Sequence, residues 1–153
     1  MNLYLVQHGE AKPKTEDPTR PLSERGAELV RKIAAWSGHA QLSVEEIRHS
    51  GKKRAEQTAA LLAESLKPTG GVIAISGIDP QDDVNPIANA IDAEKQAIML
   101  VGHLPFLSRL ASRLVIGDPD KPLLQFHNAG IVCLSRDEKQ WLISWSVVPQ
   151  LLG

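Results

Sequence analysis

Two histidines in this chain stand where imidazole chemistry can be done. His8 follows the apolar run Leu3-Tyr4-Leu5-Val6 and lies between Gln7 and Gly9. His103 follows Ala97-Ile98-Met99-Leu100-Val101, with Gly102 before it and Leu104-Pro105 after it. Imidazole changes charge near neutral pH and serves as nucleophile, acid or base. A lone histidine after a strand is more often a hydrogen-bonded loop or core residue than a catalyst. Two with the same placement, each beside a glycine that lets backbone and ligand approach, point to a site.

A third stretch supplies charge. Ser50-Gly51-Lys52-Lys53-Arg54-Ala55-Glu56-Gln57-Thr58 passes from a tight turn into a helix whose apolar face is Ala55, Ala59, Leu62 and Leu66. Cations at a helix start oppose the macrodipole unless an anion answers them, and the free amides there point outward, so this turn reads as an anion site. The polar stretch from Lys12 to Arg20, interrupted by Pro13 and Pro18 and followed by Pro21, reads as a solvated surface loop. Arg20 is set apart by lying just before Pro21-Leu22-Ser23, where a helix can start.

The elements that must position these groups follow from periodicity. Unbroken apolar runs look like strands buried on both faces, as in parallel sheets, whose carboxyl edge gathers ligands. Ser23 reads as the N-cap of a helix through Ala27, Val30, Ile33 and Ala34 to about Trp36, ended by Gly38. Glu46 to His49 and Val72 to Ser76 read as short strands, and Gly77 to Asp83 as a loop. Asn85 and Pro86 read as N-cap and first position of a short helix to about Ile91. Pro105 opens a helix with Phe106, Leu107, Leu110, Ala111 and Leu114 on one face. Gly130 to Leu134 and Trp141 to Val147 flank Asp137-Glu138-Lys139 as a hairpin, with Trp141, Ile143, Trp145 and Val147 on one face. The expected fold is α/β: a three-layer arrangement with a mainly parallel central sheet, helices on both faces and a C-terminal antiparallel hairpin.

At 153 residues the chain fits one domain, residues 1–153, and 42% hydrophobic with 23% charged residues is ordinary globular composition. A net charge of −1 gives no basic surface for duplex nucleic acid or anionic lipid. Cys133 is the sole cysteine and lies in an apolar stretch, which suits packing in a reducing cytoplasm. The first apolar run is too short for a signal-peptide core, and no stretch approaches a membrane span.

Gln7-His8-Gly9-Glu10 after the first strand, Arg20 before the first helix, Arg54-Ala55-Glu56-Gln57-Thr58 after Ser50, and Gly102-His103 after a later strand resemble the histidine phosphatase superfamily, with its phosphoglycerate mutase-like fold. The short length and the wording of Arg54 to Thr58 and of His103-Leu104-Pro105 are most similar to its small protein phosphohistidine phosphatases. The resemblance implies that His8 takes the phosphoryl group as a phosphohistidine intermediate and that Arg20 and Arg54 bind phosphate oxygens. It also implies that a protonated His103 stabilises the group in transfer. Gly9, Ser50, Gly102 and His127 are candidates for the pocket border. Neither a cofactor nor a metal is implied. The implied partner is a histidine-phosphorylated signalling or phosphotransfer protein, with phosphate or sulfate able to occupy the site, and no nucleic acid or membrane.

One position departs from the family pattern: Gln7 stands where the family has arginine. A neutral amide in place of a charged fork costs on the order of 1 to 3 kcal/mol of phosphate affinity. Two other readings follow. A small-metabolite phosphomonoesterase needs an acid for an alkoxide leaving group, from Asp79, Asp82 or Asp83. A phosphate-reading interaction module would make Gln7 a mark of lost catalysis. His39 and His49 read as surface or turn residues.

Overall fold

The apolar run that leads into His8 becomes an interior strand. In the computed structural model, which describes residues 1–153, the strands are β1 (Asn2–Gln7), β2 (Glu46–His49), β3 (Val72–Ala74), β4 (Ile98–Gly102), β5 (Ile131–Asp137) and β6 (Gln140–Val147). The helices are α1 (Glu24–His39), α2 (Lys53–Leu66), α3 (Asn85–Asp92) and α4 (Phe106–Ile116), and a 3-10 turn, Pro149–Leu151, lies near the end of the chain. All six strands form one sheet of order β3-β2-β4-β1-β5-β6. The first four in that order are parallel; β5 runs antiparallel to β1, and β6 antiparallel to β5.

Strand β1 is sandwiched between β4 and β5, so alternate side chains feed two cores. Leu3 and Leu5 join the residues of α3 and α4 on one face, including Ile91, Phe106, Leu107 and Leu110. Tyr4 and Val6 join those of α1 and α2 on the other, including Val30, Ile33, Ala59 and Leu62. This is why the run reads as continuously apolar. Helix α1 starts as the sequence predicts: the Ser23 side chain accepts the Gly26 amide at 2.9 Å.

Several boundaries differ from the sequence reading. Helix α1 does not stop at Gly38 but runs to His39, and the chain turns at Gln41 with φ 55°. Gly38 instead lies inside the helix facing α2, where a Cβ would rest in ordinary van der Waals contact with Ser65, 3.4 Å away. Asn85 is not the N-cap of α3. Its Oδ1 accepts from Arg113 Nε at 3.0 Å, while its own amide donates to Asp83 Oδ1. Strand β3 ends at Ala74 rather than Ser76, at the exposed sheet edge. The C-terminal hairpin forms, but an irregularity between Cys133 and Leu134 splits the tryptophan run between faces. Trp141 packs with the α3/α4 core, whereas Trp145 and Val147 lie against the α1/α2 core.

The loop after His8 is pinned to α1 by backbone packing. Glu10 O accepts the Ser23 amide at 3.0 Å. A Cβ on Gly26 would clash with that same oxygen, and one on Gly9 would stand 2.6 Å from Val30 Cγ2. Gly→Ala inside a helix ordinarily stabilises by about 1 kcal/mol. Gly26→Ala should do the opposite, costing about 3 kcal/mol because backbone rather than a flexible side chain must move. Thermal denaturation should show Tm lower by about 6 to 12 °C; an unchanged or raised Tm would refute this packing.

Candidate active site

The chain leaves β1 toward α1 on one face of the sheet and leaves β4 toward α4 on the other, although the two strands are hydrogen-bonded neighbours. That divergence is a topological switch point, where the carboxyl edge opens into a crevice. His8 and His103 are the first residues past these two strands. The His8 amide donates to Gly102 O at 3.0 Å, and the imidazole centroids are 5.0 Å apart with the rings inclined at 51°. Strand β2, on the other side of β4, delivers Ser50 to the same edge.

His8 Nδ1 lies 2.7 Å from Gly9 O. A carbonyl oxygen can only accept, so Nδ1 carries the proton and Nε2 keeps its lone pair. Gly9 is itself fixed, because its amide donates to Thr58 Oγ1 at 3.0 Å and Thr58 Oγ1 donates to Arg54 O at 2.8 Å. Asn128 Nδ2 donates to His8 O at 3.0 Å from the segment before β5. Burial lowers the His8 pKa, with Arg54 and Arg20 adding to the effect against the Gly9 hydrogen bond. The ring is therefore a neutral, oriented nucleophile at pH 7.

His103 is fully buried, and Ser50 Oγ lies 2.6 Å from its Nε2. Ser50 Oγ accepts the Lys52 amide at 3.3 Å, and its own hydrogen finds an acceptor in Nε2. The proton of the neutral ring then sits on Nδ1, which is buried without a partner. Burial first, then the neighbouring His8, Arg54 and Lys52, push the His103 pKa down to about 3. Burial and the cationic neighbours Arg54 and Lys52 favour the neutral form of the His103 ring.

The cations converge as well. Arg20, at φ 50°, donates from Nε to Lys12 O at 3.1 Å. It lines one cavity with Arg54, Lys52 and Lys53. Arg54 Nε is buried with no partner, and burial together with Arg20 lowers the Arg54 pKa. A desolvated guanidinium beside a second one is a site that an oxyanion would neutralise.

The remaining candidates divide. Gly9 and Gly102 are buried backbone supports. Gln7 ends β1 with Oε1 buried and unpartnered. His127 is exposed and lines a separate pocket with Phe126, Val147 and Val148; its neighbour Asn128 is the residue that reaches His8. Asp82 and Asp83 accept loop amides of Asp79 and Asn85, and Asp79 is exposed. His49 is not a surface residue: it is 5% exposed, and its Nδ1 accepts the Gly51 amide at 3.0 Å, fastening the Ser50 turn. His39 is exposed at the end of α1. Thr58 and Asn128 carry no local signal for these roles, because each meets a backbone atom supplied by the tertiary fold, whereas His49 acts locally on the amide two residues ahead.

Three depressed histidine pKa values set a pH dependence. For His8, His49 and His103 burial is the leading cause. Below about pH 6.5 the unfolded chain takes up protons on these rings that the folded chain refuses until each lowered pKa is reached. Stability therefore falls as pH drops through this window, which for His103 extends toward about 3. Thermal melts from pH 7.5 to 4.5 should show a steady fall in Tm, and His103→Asn should flatten the slope. A Tm independent of pH in this range would contradict the buried neutral rings.

No protein-family model matches the chain. Curated proteins and solved structures are similar to it over most of their length, among them the following. Phosphohistidine phosphatase SixA of Escherichia coli (strain K12) is 23% identical over 155 residues, covering 97% of this chain and 94% of that protein. An uncharacterized protein of Picosynechococcus sp. is 30% identical over 142 residues, covering 88% of this chain and 84% of its own. The structure of the protein histidine phosphatase SixA complexed with tungstate superposes with a TM-score of 0.88 at 23% identity, covering 100% of both chains. The chain belongs to the histidine phosphatase superfamily. The six-stranded sheet, the four covering helices and the β5-β6 hairpin are the phosphoglycerate mutase-like fold of that superfamily. As a histidine phosphatase superfamily member it carries, at the switch point of that fold, the paired imidazoles and paired guanidinia described above.

Proposed function

We propose that the protein is a phosphohistidine phosphatase that acts on histidine-phosphorylated proteins through a phosphorylated His8. The reading rests above all on the two imidazoles, 5.0 Å apart at one sheet edge, with the guanidinium groups of Arg54 and Arg20 acting on the His8 ring. An alkoxide leaving group needs a carboxylic acid to protonate it. Of the loop carboxylates, Asp82 and Asp83 each commit one oxygen to a backbone amide, of Asp79 and Asn85, and Asp79 is exposed, which favours a leaving group that needs no acid. Imidazole is a far better leaving group than an alkoxide, above all once protonated, and does not require such an acid.

In the first step the His8 Nε2 lone pair attacks phosphorus in line as the substrate's N–P bond breaks, and the substrate imidazole departs neutral after taking a proton from solvent. In the second, water attacks phosphorus, the His8 N–P bond breaks, and inorganic phosphate leaves. The nucleophile is held by the Gly9 carbonyl. Arg20 and Arg54 take the oxygens, and His103 offers the proton on Nδ1. A dianionic group beside His103 offsets the cations that depress its pKa, so the ring gains basicity as substrate binds. The Gln7 amide can serve the phosphoryl group only through Nε2, without charge. Phosphate or sulfate is the expected simple occupant of this pocket.

The superfamily also includes small-metabolite phosphatases, so the substrate class is the point to test. Release of inorganic phosphate should be measured, with EDTA present, from a phosphohistidine peptide and from p-nitrophenyl phosphate. The expected result is release from the peptide well ahead of the ester. Faster release from the ester would put a metabolite monoester first, and peptide binding without release would leave a phosphate-reading module.

A further inference from the structure

The cavity beside the two arginines holds more positive charge than one phosphoryl group can answer. It encloses about 370 Å³ and is lined by Lys14, Pro18, Thr19, Arg20, Lys52, Lys53 and Arg54. Five of these seven residues are cations and none is an acid. The chain as a whole carries a net charge of −1, so this concentration is local.

The cations are also unspent. The ion pairs of the molecule are Lys12–Glu16, Arg48–Glu46, Arg48–Glu94 and Arg109–Asp120, none of which involves the five. Asp17, whose charge Lys12 and Lys53 favour, commits Oδ1 to the amide and hydroxyl of Thr19 at 3.0 and 2.8 Å. A phosphoryl group brings a charge of about −2. Held by Arg20 and Arg54, it leaves Lys14, Lys52 and Lys53 around the rest of the cavity.

These lysines are positioned rather than scattered. Lys14 is on the loop after β1, where Pro13 and Pro18 restrict the backbone and the Arg20 amide closes onto Asp17 O at 3.0 Å. Lys52 and Lys53 stand at the start of α2, where a cation opposes the helix dipole and gains nothing locally. Lys14 and Lys53 are both exposed, so two elements that line the cavity present charge to a partner. No aromatic side chain lines it, which removes the stacking platform a nucleic-acid strand would use.

We propose that this cavity docks acidic side chains of the substrate protein, so that the enzyme selects a phosphohistidine flanked by Asp or Glu. The assignment deepens the phosphohistidine reading and rests on it. Two peptides carrying a stable phosphonate analogue of phosphohistidine would be titrated against the protein, one with Glu and Asp around the modified residue and one with Gln and Asn. The acidic peptide should bind about five- to twentyfold tighter at low salt, and the difference should shrink as ionic strength rises. In the double variant Lys14→Ser/Lys53→Ser the ratio should fall to about twofold or less. Equal affinities for the wild type, or a preference that survives in the double variant, would overturn the assignment. Hydrolysable versions of the same peptides separate the two claims. Binding preference without phosphate release would remove the phosphatase reading and keep acidic docking, whereas equal binding with release would do the reverse.

Discussion

His8→Ala should reduce phosphate release from a phosphohistidine peptide by on the order of 10⁴-fold or more, because it removes the atom that forms the covalent intermediate. No other side chain can replace it. His103 is the nearby imidazole, but its Nε2 is engaged by Ser50 at 2.6 Å and the ring is fully buried. Truncation leaves the Gly9 amide on Thr58 and the His8 carbonyl on Asn128, since both bonds are made by backbone atoms. Binding of inorganic phosphate should therefore survive in the variant. The measurement is steady-state release together with acid-labile phosphate trapped on the protein from a labelled substrate. A variant that keeps more than about 1% of the rate would place the nucleophile elsewhere. The lowered His8 pKa adds a sign: the neutral ring is the reactive form, so the acidic limb of kcat/KM should lie below pH 6.5.

Arg54→Ala should lower kcat/KM by about 10² to 10⁴-fold, the range for removing a charged donor from a site where charge is spread over three oxygens. The same substitution should not lower Tm and should tend to raise it. Arg54 Nε is buried without a partner, and both burial and Arg20 disfavour its charged form. Its presence is thus a cost to the fold that only an anion offsets. Arg54→Lys should recover a minority of the lost activity, because a point charge does not reproduce a planar fork. Thermal melts with and without phosphate make the distinction sharp: the wild type should gain Tm on adding phosphate, and Arg54→Ala should gain little. A large drop in Tm without phosphate would mean that Arg54 holds the fold rather than the ligand.

Elements were legible in the sequence where their signal was short-range. The run Leu3 to Val6 is buried on both faces, and Ser23 caps α1 with its own side chain, so local pattern and outcome agree. Reading failed where a distant partner intervened. Asn85 has the residue type of an N-cap, but Arg113 takes its oxygen. Gly38 has the type of a helix terminator, but it lies where α2 passes close to α1. The tryptophan alternation fails because the β5-β6 register shifts, which moves Trp145 to the face opposite Trp141.

The candidate site divides in the same way. Residue type and placement after strand or turn were enough to single out His8, His103, Ser50, Arg20 and Arg54, because chemistry of this kind requires particular functional groups at the ends of elements. The pairing of β1 with β4, distant in sequence, is a tertiary fact, and it alone brings His8 and His103 to a 5.0 Å ring separation. Tertiary packing likewise sets which His8 nitrogen is free, lowers the His103 pKa by burial, and buries His49. It also gathers Lys14 with Lys52 and Lys53 into one cavity. The sequence by itself determined which groups are present and which local elements carry them. The fold decided burial, charge and mutual distance, because these depend on neighbours that sequence separation does not reveal.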